Sequence, residues 1–406
     1  MAPKLTIARQ HYDCILCGRC CRRFFVPMTV AERERIAKLM HRDDFTEKHG
    51  SAECFRRGED GSCVFQNQKG LCEIHRLHGF DVKALVCRGY PFSLMPTFPG
   101  EASVLARMDC PAVAQEHGRV LSDYAPQLTR LLEELHPRGG GFTSAQLAQM
   151  DKASIQTLLK QFTRILDDTQ TPMQVTMGLL MEFLKRCRQL GGLFLSDPEV
   201  SSTVYPSMLQ SCRQDLPDLP KAEGTKLDSV ILRRWLAAFL RRDEETPRHT
   251  FATRMKAAWR SLLFSLGKAS LRSFSQEHPD ISLKKATSIC RPTAQGPLPA
   301  SVWESYRRFL HVHLETFQFF GGAYYGCDLF EGLCALFLTF LPARLLACAH
   351  AAAEERSSLQ SEDVQYAVMA IDHAFGRTPE LRSKSWRSRE ATLAEHFSSL
   401  ILLDKP

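Results

Sequence analysis

The stretch Cys14-Ile15-Leu16-Cys17-Gly18-Arg19-Cys20-Cys21 carries four thiols within eight residues, spaced C-x2-C-x2-C-C. A C-x2-C turn brings two sulfurs close to one point, and Gly18 permits the tight backbone path that such a turn needs. Cys20 and Cys21 are adjacent, so in extended backbone their side chains point to opposite sides, and one tetrahedral ion would use both only with strain. The spacing therefore predicts a metal site in which one thiol is a spare or more than one metal atom is bound.

Further cysteines follow closely, because nine of the fifteen in the chain lie within the first 110 residues. The phrases around them are Gly61-Ser62-Cys63-Val64-Phe65, Gly70-Leu71-Cys72-Glu73-Ile74-His75, Cys87-Arg88-Gly89-Tyr90-Pro91-Phe92 and Cys110-Pro111. Together with the opening stretch, they resemble the YkgJ-like CxxCxxCC family of zinc- or iron-chelating proteins over residues 12–111. The resemblance implies a metal centre and leaves the biological role open. The candidate ligands that it implies are Cys14, Cys17, Cys20, Cys21, Cys63, Cys72, Cys87 and Cys110.

Two nearby residues are weaker ligand candidates. Cys54 lies outside the family phrases, within residues 42–62, whose charges and glycines predict a loop. His75 follows Cys72 by three residues, which is a zinc-like spacing, but we interpret it as a packing or surface residue.

Composition limits the compartment and the partners. A hydrophobic fraction of 44% and a mean hydropathy of -0.21 are typical of a soluble globular protein. The first residues lack an apolar signal core, and the most apolar stretch, Gly332 to Pro342, is too short to span a bilayer. We therefore expect a cytoplasmic protein, whose clustered thiols are ligands or redox groups rather than disulfides. The net charge of +7 is spread evenly, so nothing indicates a nucleic acid as partner. Because no stretch is long enough to span a bilayer, we expect no membrane partner either.

The pattern along the chain predicts a mostly α protein of two domains. The first, residues 1–136, is a small metal-centred domain with a short β-hairpin around Pro99-Gly100, and the second, residues 142–406, is all-α. Thr29 and Glu32 have capping-box spacing at the start of a helix, Pro111 suits the first position of the helix after Cys110, and residues 380–403 are expected to form the last helix. We place the boundary at His136-Pro137-Arg138-Gly139-Gly140-Gly141, beyond which helical periodicity dominates. The cysteines predicted to be core thiols are Cys187, Cys212, Cys290, Cys327, Cys334 and Cys348.

Thiolates favour zinc, Cu(I) or iron–sulfur clusters. The two candidate centres are an iron–sulfur cluster and zinc. We expect a [4Fe-4S] cluster, since the adjacent pair Cys20 and Cys21 suits a polynuclear centre and C-x2-C-x2-C resembles the start of bacterial ferredoxin motifs. Zinc as a structural staple, in up to two four-thiolate sites, is the alternative. We also predict that Arg88 tunes or shields the centre by charge; the alternative is that it pairs with a nearby carboxylate.

A second resemblance gives an enzyme hypothesis. The N-terminal cysteine cluster, the long helical remainder and the stretch Pro342-Ala343-Arg344-Leu345-Leu346 are similar to flagellin lysine methylases. This resemblance implies protein lysine N-methylation with S-adenosylmethionine, although no G-x-G-x-x-G motif follows a predicted strand. Other hypotheses are a structural zinc-binding interaction protein and an electron-transfer or metal-handling protein whose helical domain docks a partner. The expected partner is accordingly a protein substrate or a redox partner.

Overall fold

The protein is mostly α, as predicted, and its strands are short and confined to the N-terminal part of the described chain. The structure, a computed structural model, describes residues 3–135, 152–190, 198–215, 226–241, 251–290 and 300–400. The predicted boundary at residues 136–141 lies outside the described residues. The division into domains 1–136 and 142–406 therefore stays a prediction.

The N-terminal part alternates short strands with short helices. Its elements are β1 (Lys4–Ile7), β2 (His11–Tyr12), α1 (Arg19–Arg23), α2 (Val30–Met40), β3 (Thr46–His49), β4 (Ala52–Phe55), α3 (Glu73–His78), α4 (Leu85–Gly89), β5 (Phe92–Pro96), β6 (Glu101–Ala106), α5 (Pro111–Ala114), β7 (Arg119–Val120) and α6 (Ala125–Leu135). The predicted hairpin is confirmed as the antiparallel pair β5–β6, with Leu94 opposite Val104. Strand β1 pairs in parallel with the other edge of β6, so the sheet has the order β1-β6-β5.

Two local predictions on residues 29–62 have different outcomes. The capping box at the start of α2 is confirmed, since Thr29 Oγ1 accepts from the Glu32 amide at 3.2 Å and Glu32 Oε2 accepts from the Thr29 amide at 2.8 Å. The loop predicted over residues 42–62 is wrong, because it contains the antiparallel pair β3–β4. Strands β3 and β4 are mostly polar. The buried residue Phe45 directly precedes β3, Phe55 is the last residue of β4, and both pack in one cluster with Phe65.

The C-terminal part is built of helices. They are α7 (Lys152–Leu166), α8 (Met173–Leu190), α9 (Pro198–Asp215), α10 (Lys226–Leu240), α11 (Phe251–Ser265), α12 (Leu283–Ile289), α13 (Glu304–Thr316), α14 (Leu329–Leu338), α15 (Phe340–Ala353), α16 (Ser361–Ala374), α17 (Lys384–Glu395) and α18 (Phe397–Leu400). The single last helix expected over residues 380–403 is instead α17 and α18, with a break at His396.

One apolar core joins the hairpin to the helices. Leu94 and Val104 of the hairpin lie in the same buried cluster as Leu131 of α6 and Phe309 of α13. The helical run Leu329–Ala353 is long and apolar enough to cross a membrane by length and composition, but 94% of its apolar 18-residue window is buried inside the protein, as is usual for core helices. The six predicted core thiols lie among these helices, five of them buried and Cys334 half-buried.

Candidate metal centre

Helix α1 brings two candidate ligands side by side. Gly18, at φ 66° and ψ 5°, precedes the helix in the left-handed conformation that glycine adopts without strain. Cys20 and Cys21 therefore lie in helical backbone, where successive side chains differ by about 100° rather than 180°. Their Sγ atoms are 4.0 Å apart. The expectation that the two thiols point to opposite sides is wrong, because it assumed an extended chain.

Cys63 and Cys72 are held beside this pair by the backbone. The Cys63 amide donates to the Cys21 carbonyl at 2.8 Å, and Cys72 forms a bridge with Gln66. The Gln66 side chain in turn donates to the Gly18 carbonyl at 3.2 Å. These bonds fasten the loop that carries Cys63 and Cys72 to the helix that carries the thiol pair.

The thiols of this region influence one another electrostatically. A hydrogen bond from Cys21 lowers the pKa of Cys20 to about 7, and the same bond, together with burial, raises the pKa of Cys21. Burial raises the pKa of Cys63 to about 11, and negative charge on Cys72 and Cys20 acts in the same direction. Burial also raises the pKa of Cys87, again helped by charge on Cys63, Cys72 and Cys20. Five candidate thiols thus lie within electrostatic reach of one another.

The other three candidates, Cys14, Cys17 and Cys110, differ from one another in exposure. Cys14 and Cys17 are exposed, whereas Cys110 is buried at the start of α5, with Pro111 in the first helical position as predicted. Burial raises the pKa of Cys110 to about 12, and charge on Cys17 adds to the effect. Burial raises the pKa of Tyr12 as well, and charge on Cys14, Cys110 and Cys20 acts in the same direction.

The donor set fits a thiophilic metal in its chemistry and in one distance. Two thiolates on one tetrahedral zinc, each about 2.3 Å from the ion, lie about 3.8 Å apart, close to the 4.0 Å between Cys20 and Cys21. Within the described residues, no three Cys, His, Asp or Glu side chains already surround one point at ligand distance. Binding an ion therefore requires the neighbouring thiols to turn toward this pair.

The weaker candidates have other surroundings. Cys54 is buried in β4, opposite Glu47 of β3. The His75 ring packs edge-on against Phe80, with centroids 5.9 Å apart, and burial lowers the pKa of the imidazole. These surroundings agree with a structural interpretation of both residues.

Residues 13–115 match the model of a family described as "CxxCxxCC: Putative zinc- or iron-chelating domain". This segment, called the CxxCxxCC domain below, is similar to that family. All eight candidate thiols lie within it, and it covers about a quarter of the chain. No curated protein and no solved structure matches the chain. The similarity to flagellin lysine methylases and the cytoplasmic location stay predictions from the sequence.

Ion pairs between α1 and Glu277 join the CxxCxxCC domain to the C-terminal part. Arg19 and Arg23, which flank the thiol pair on α1, both reach Glu277, with Nη2–Oε2 distances of 2.9 and 3.1 Å. Arg23 is almost wholly buried. The charges of Arg19 and Arg23 are therefore paired with a carboxylate from the C-terminal part.

Asp109, immediately before Cys110, is the centre of a second buried connection. It accepts from Arg107 Nη2 at 2.5 Å, and His373 Nδ1 of α16 lies 3.0 Å from the same Oδ2 atom. Arg23 Nη1 is 3.7 Å away. Burial opposes ionisation, but Arg107, His373 and Arg23 hold the pKa of Asp109 well below its ordinary value. The partners are up to 264 residues apart in sequence, so no local pattern could have found them.

Arg88 pairs with a nearby carboxylate, which is the alternative to a role at the metal centre. Its two terminal nitrogens form a bidentate pair with Glu134 of α6, at 2.9 and 2.5 Å, and its Nε donates to the Lys83 carbonyl. The charge next to Cys87 is thus engaged by a carboxylate, as in the second of the two interpretations.

A cavity of about 730 Å³ lies where the CxxCxxCC domain meets α7 and α13. Met108 and Val113, on either side of Cys110, form part of its apolar wall. Its rim is charged, with Arg308 paired to Glu116 at 2.8 Å. A pocket of this size accommodates a cofactor-sized molecule.

Proposed function

We propose that the CxxCxxCC domain chelates one tetrahedral metal ion, zinc in the first instance, through Cys20, Cys21, Cys63 and Cys72. The observation that carries this proposal is the 4.0 Å between the Cys20 and Cys21 sulfurs, a distance suited to two ligands of one ion. Cys63 and Cys72 complete the set because both affect the pKa of Cys21 and both lie on the loop fastened to α1.

A bound zinc ion would act here as a structural staple. The buried residues Val26, Ile36, Phe45, Phe55, Phe65, Ile74 and Ala84 form a small apolar cluster separate from the main core. A cluster of this size offers little stability of its own, and metal-binding energy becomes folding energy in such a segment. The ion would join α1 to the loop of Cys63 and Cys72, while Glu277 and Asp109 hold the same helix against the C-terminal part.

An iron–sulfur cluster is the second candidate, and a different group of thiols favours it. Cys14, Cys17 and Cys20 supply the C-x2-C-x2-C spacing, and Cys110 precedes a proline, as the last cysteine of bacterial ferredoxin motifs does. Cys14, Cys20 and Cys110 all affect the pKa of Tyr12, which supports placing them in one group. When bound, such a cluster supplies one-electron redox chemistry, and the domain would then serve a redox partner.

Purification without oxygen separates the two candidates. The zinc proposal predicts colourless protein without acid-labile sulfide, and loss of zinc in the Cys21→Ser variant but not in Cys17→Ser. The cluster candidate predicts brown protein that contains iron and sulfide, bleaches with dithionite and loses its colour in Cys17→Ser. Cys54→Ser is the matched control, since Cys54 belongs to neither group and its replacement should change neither metal.

A further inference from the structure

Helix α11 carries a row of large apolar side chains in solvent. The exposed fractions are 80% for Phe251, 54% for Met255, 61% for Trp259, 47% for Leu262 and 51% for Leu266, which follows the helix directly. Steps of four, four, three and four residues place the row within a sector of about 80°. At 1.5 Å per residue, the row is about 22 Å long.

The row points away from the body of the protein. Phe264 of the same helix is 1% exposed and packs edge-on against Phe274, with ring centroids 5.1 Å apart. At about 100° per residue, Phe264 lies about 180° from the middle of the row. The usual surface helix turns its apolar stripe toward the core, so a second apolar face directed into solvent marks an interaction surface.

The charge of this region indicates what the surface binds. Residues 251–276 contain five Lys and Arg and no Asp or Glu. Lys256 and Lys268 are exposed, whereas Arg260 donates to the Ser273 carbonyl at 2.7 Å. Aromatic and aliphatic side chains on one face, with lysines beside them and no acid, are typical of helices that lie in the interface of anionic bilayers.

We propose that α11 docks this protein on the surface of a bilayer containing anionic phospholipids. Phe251, Met255, Trp259, Leu262 and Leu266 enter the headgroup region, and Lys256 and Lys268 meet the lipid phosphates. The docking is peripheral, because the long apolar run of α14 and α15 stays in the core. The sequence predicts no membrane partner by the criterion of a spanning segment, and a helix that lies on the bilayer surface does not need one. The proposal is independent of which metal the CxxCxxCC domain holds.

The chain contains its own probe for this docking. Of its four tryptophans, Trp235, Trp303 and Trp386 are exposed by 0%, 1% and 9%, whereas Trp259 lies in the row. Vesicles of phosphatidylglycerol and phosphatidylcholine should therefore shift the tryptophan emission of the full-length protein to the blue and sediment with it. Vesicles of phosphatidylcholine alone should bind at least about tenfold more weakly, since the lysines then lack anionic lipid.

Variants locate the contact on the helix. Met255→Glu places a carboxylate in the row and should weaken vesicle binding by about tenfold or more, with unchanged far-ultraviolet circular dichroism because residue 255 is exposed. Val175→Glu is the matched control, since Val175 is 41% exposed on α8, outside the row, and its replacement should leave binding unchanged.

Three results overturn the proposal. The first is the absence of sedimentation and of a blue shift with phosphatidylglycerol vesicles. The second is equal binding of Met255→Glu and the wild type. The third is a concentration-dependent dimer without lipid that buries Trp259 and is abolished by Met255→Glu, which would assign the row to a second copy of the chain.

Discussion

Replacement of Asp109 by asparagine tests whether buried charges hold the CxxCxxCC domain against the helices. Asp109 has no exposed surface, and its carboxylate faces Arg107 at 2.5 Å and His373 at 3.0 Å. Asparagine keeps the shape and removes the charge, which leaves the buried guanidinium of Arg23 and that of Arg107 without this counter-charge. Removing one partner of a buried ion pair costs about 3–5 kcal/mol, so we expect a loss of that order in the free energy of unfolding.

The matched control is Glu134→Gln, which breaks the bidentate pair between a half-exposed carboxylate and Arg88. Glu134 has 42% of its side chain exposed, and exposed pairs contribute less than about 1 kcal/mol. The two variants and the wild type are compared by urea unfolding at neutral pH, followed by far-ultraviolet circular dichroism. An Asp109→Asn variant that loses no more stability than Glu134→Gln would refute the reasoning, because the buried network would then contribute no more than a surface pair.

Three further predictions concern Cys17, Glu390 and Arg88. If the metal centre is an iron–sulfur cluster, Cys17→Ser should lower the metal content and destabilise residues 1–135. A Cys17→Ser variant with normal metal content and an unchanged unfolding profile would show that Cys17 is not a ligand. Burial raises the pKa of Glu390 to about 7, so its stabilising contribution is complete below the pKa of an unfolded glutamate, about 4.3, and is lost as the pH rises through 7. Between pH 5 and 8, the free energy of unfolding should thus fall by about 2–3 kcal/mol more in the wild type than in Glu390→Gln. The same dependence of the unfolding free energy on pH in both proteins would contradict this. Arg88→Ala should leave metal content unchanged and cost about 1 kcal/mol or less through loss of the Glu134 pair; increased metal loss would instead support a shielding role.

Local signals account for the parts of the fold that the sequence predicted. The Thr29–Glu32 capping box, the turn at Pro99-Gly100 and the proline after Cys110 each involve residues a few positions apart. Such signals act through the backbone of one turn, so no tertiary information is needed to interpret them.

The remaining features depend on where distant segments meet. Cys20 and Cys21 have no periodicity that distinguishes helix from extended chain, and the helix is what brings their sulfurs to 4.0 Å. Asp109 meets His373 only because α16 packs beside the turn before α5, and nothing in either sequence neighbourhood marks the pair. The apolar residues of α11 have the spacing of a core-facing stripe, and only the packing of Phe264 shows that they face solvent.

The central claim is that the Cys20–Cys21 pair holds a metal, and the metal content of full-length protein tests it most directly. Zinc and iron are measured by mass spectrometry in wild-type protein purified without oxygen, in the Cys20→Ser, Cys21→Ser double variant and in Cys54→Ser. We predict about one zinc ion per chain in the wild type and in Cys54→Ser, and little or none in the double variant. Wild-type protein with neither zinc nor iron, or a double variant that retains the wild-type metal content, would contradict the account.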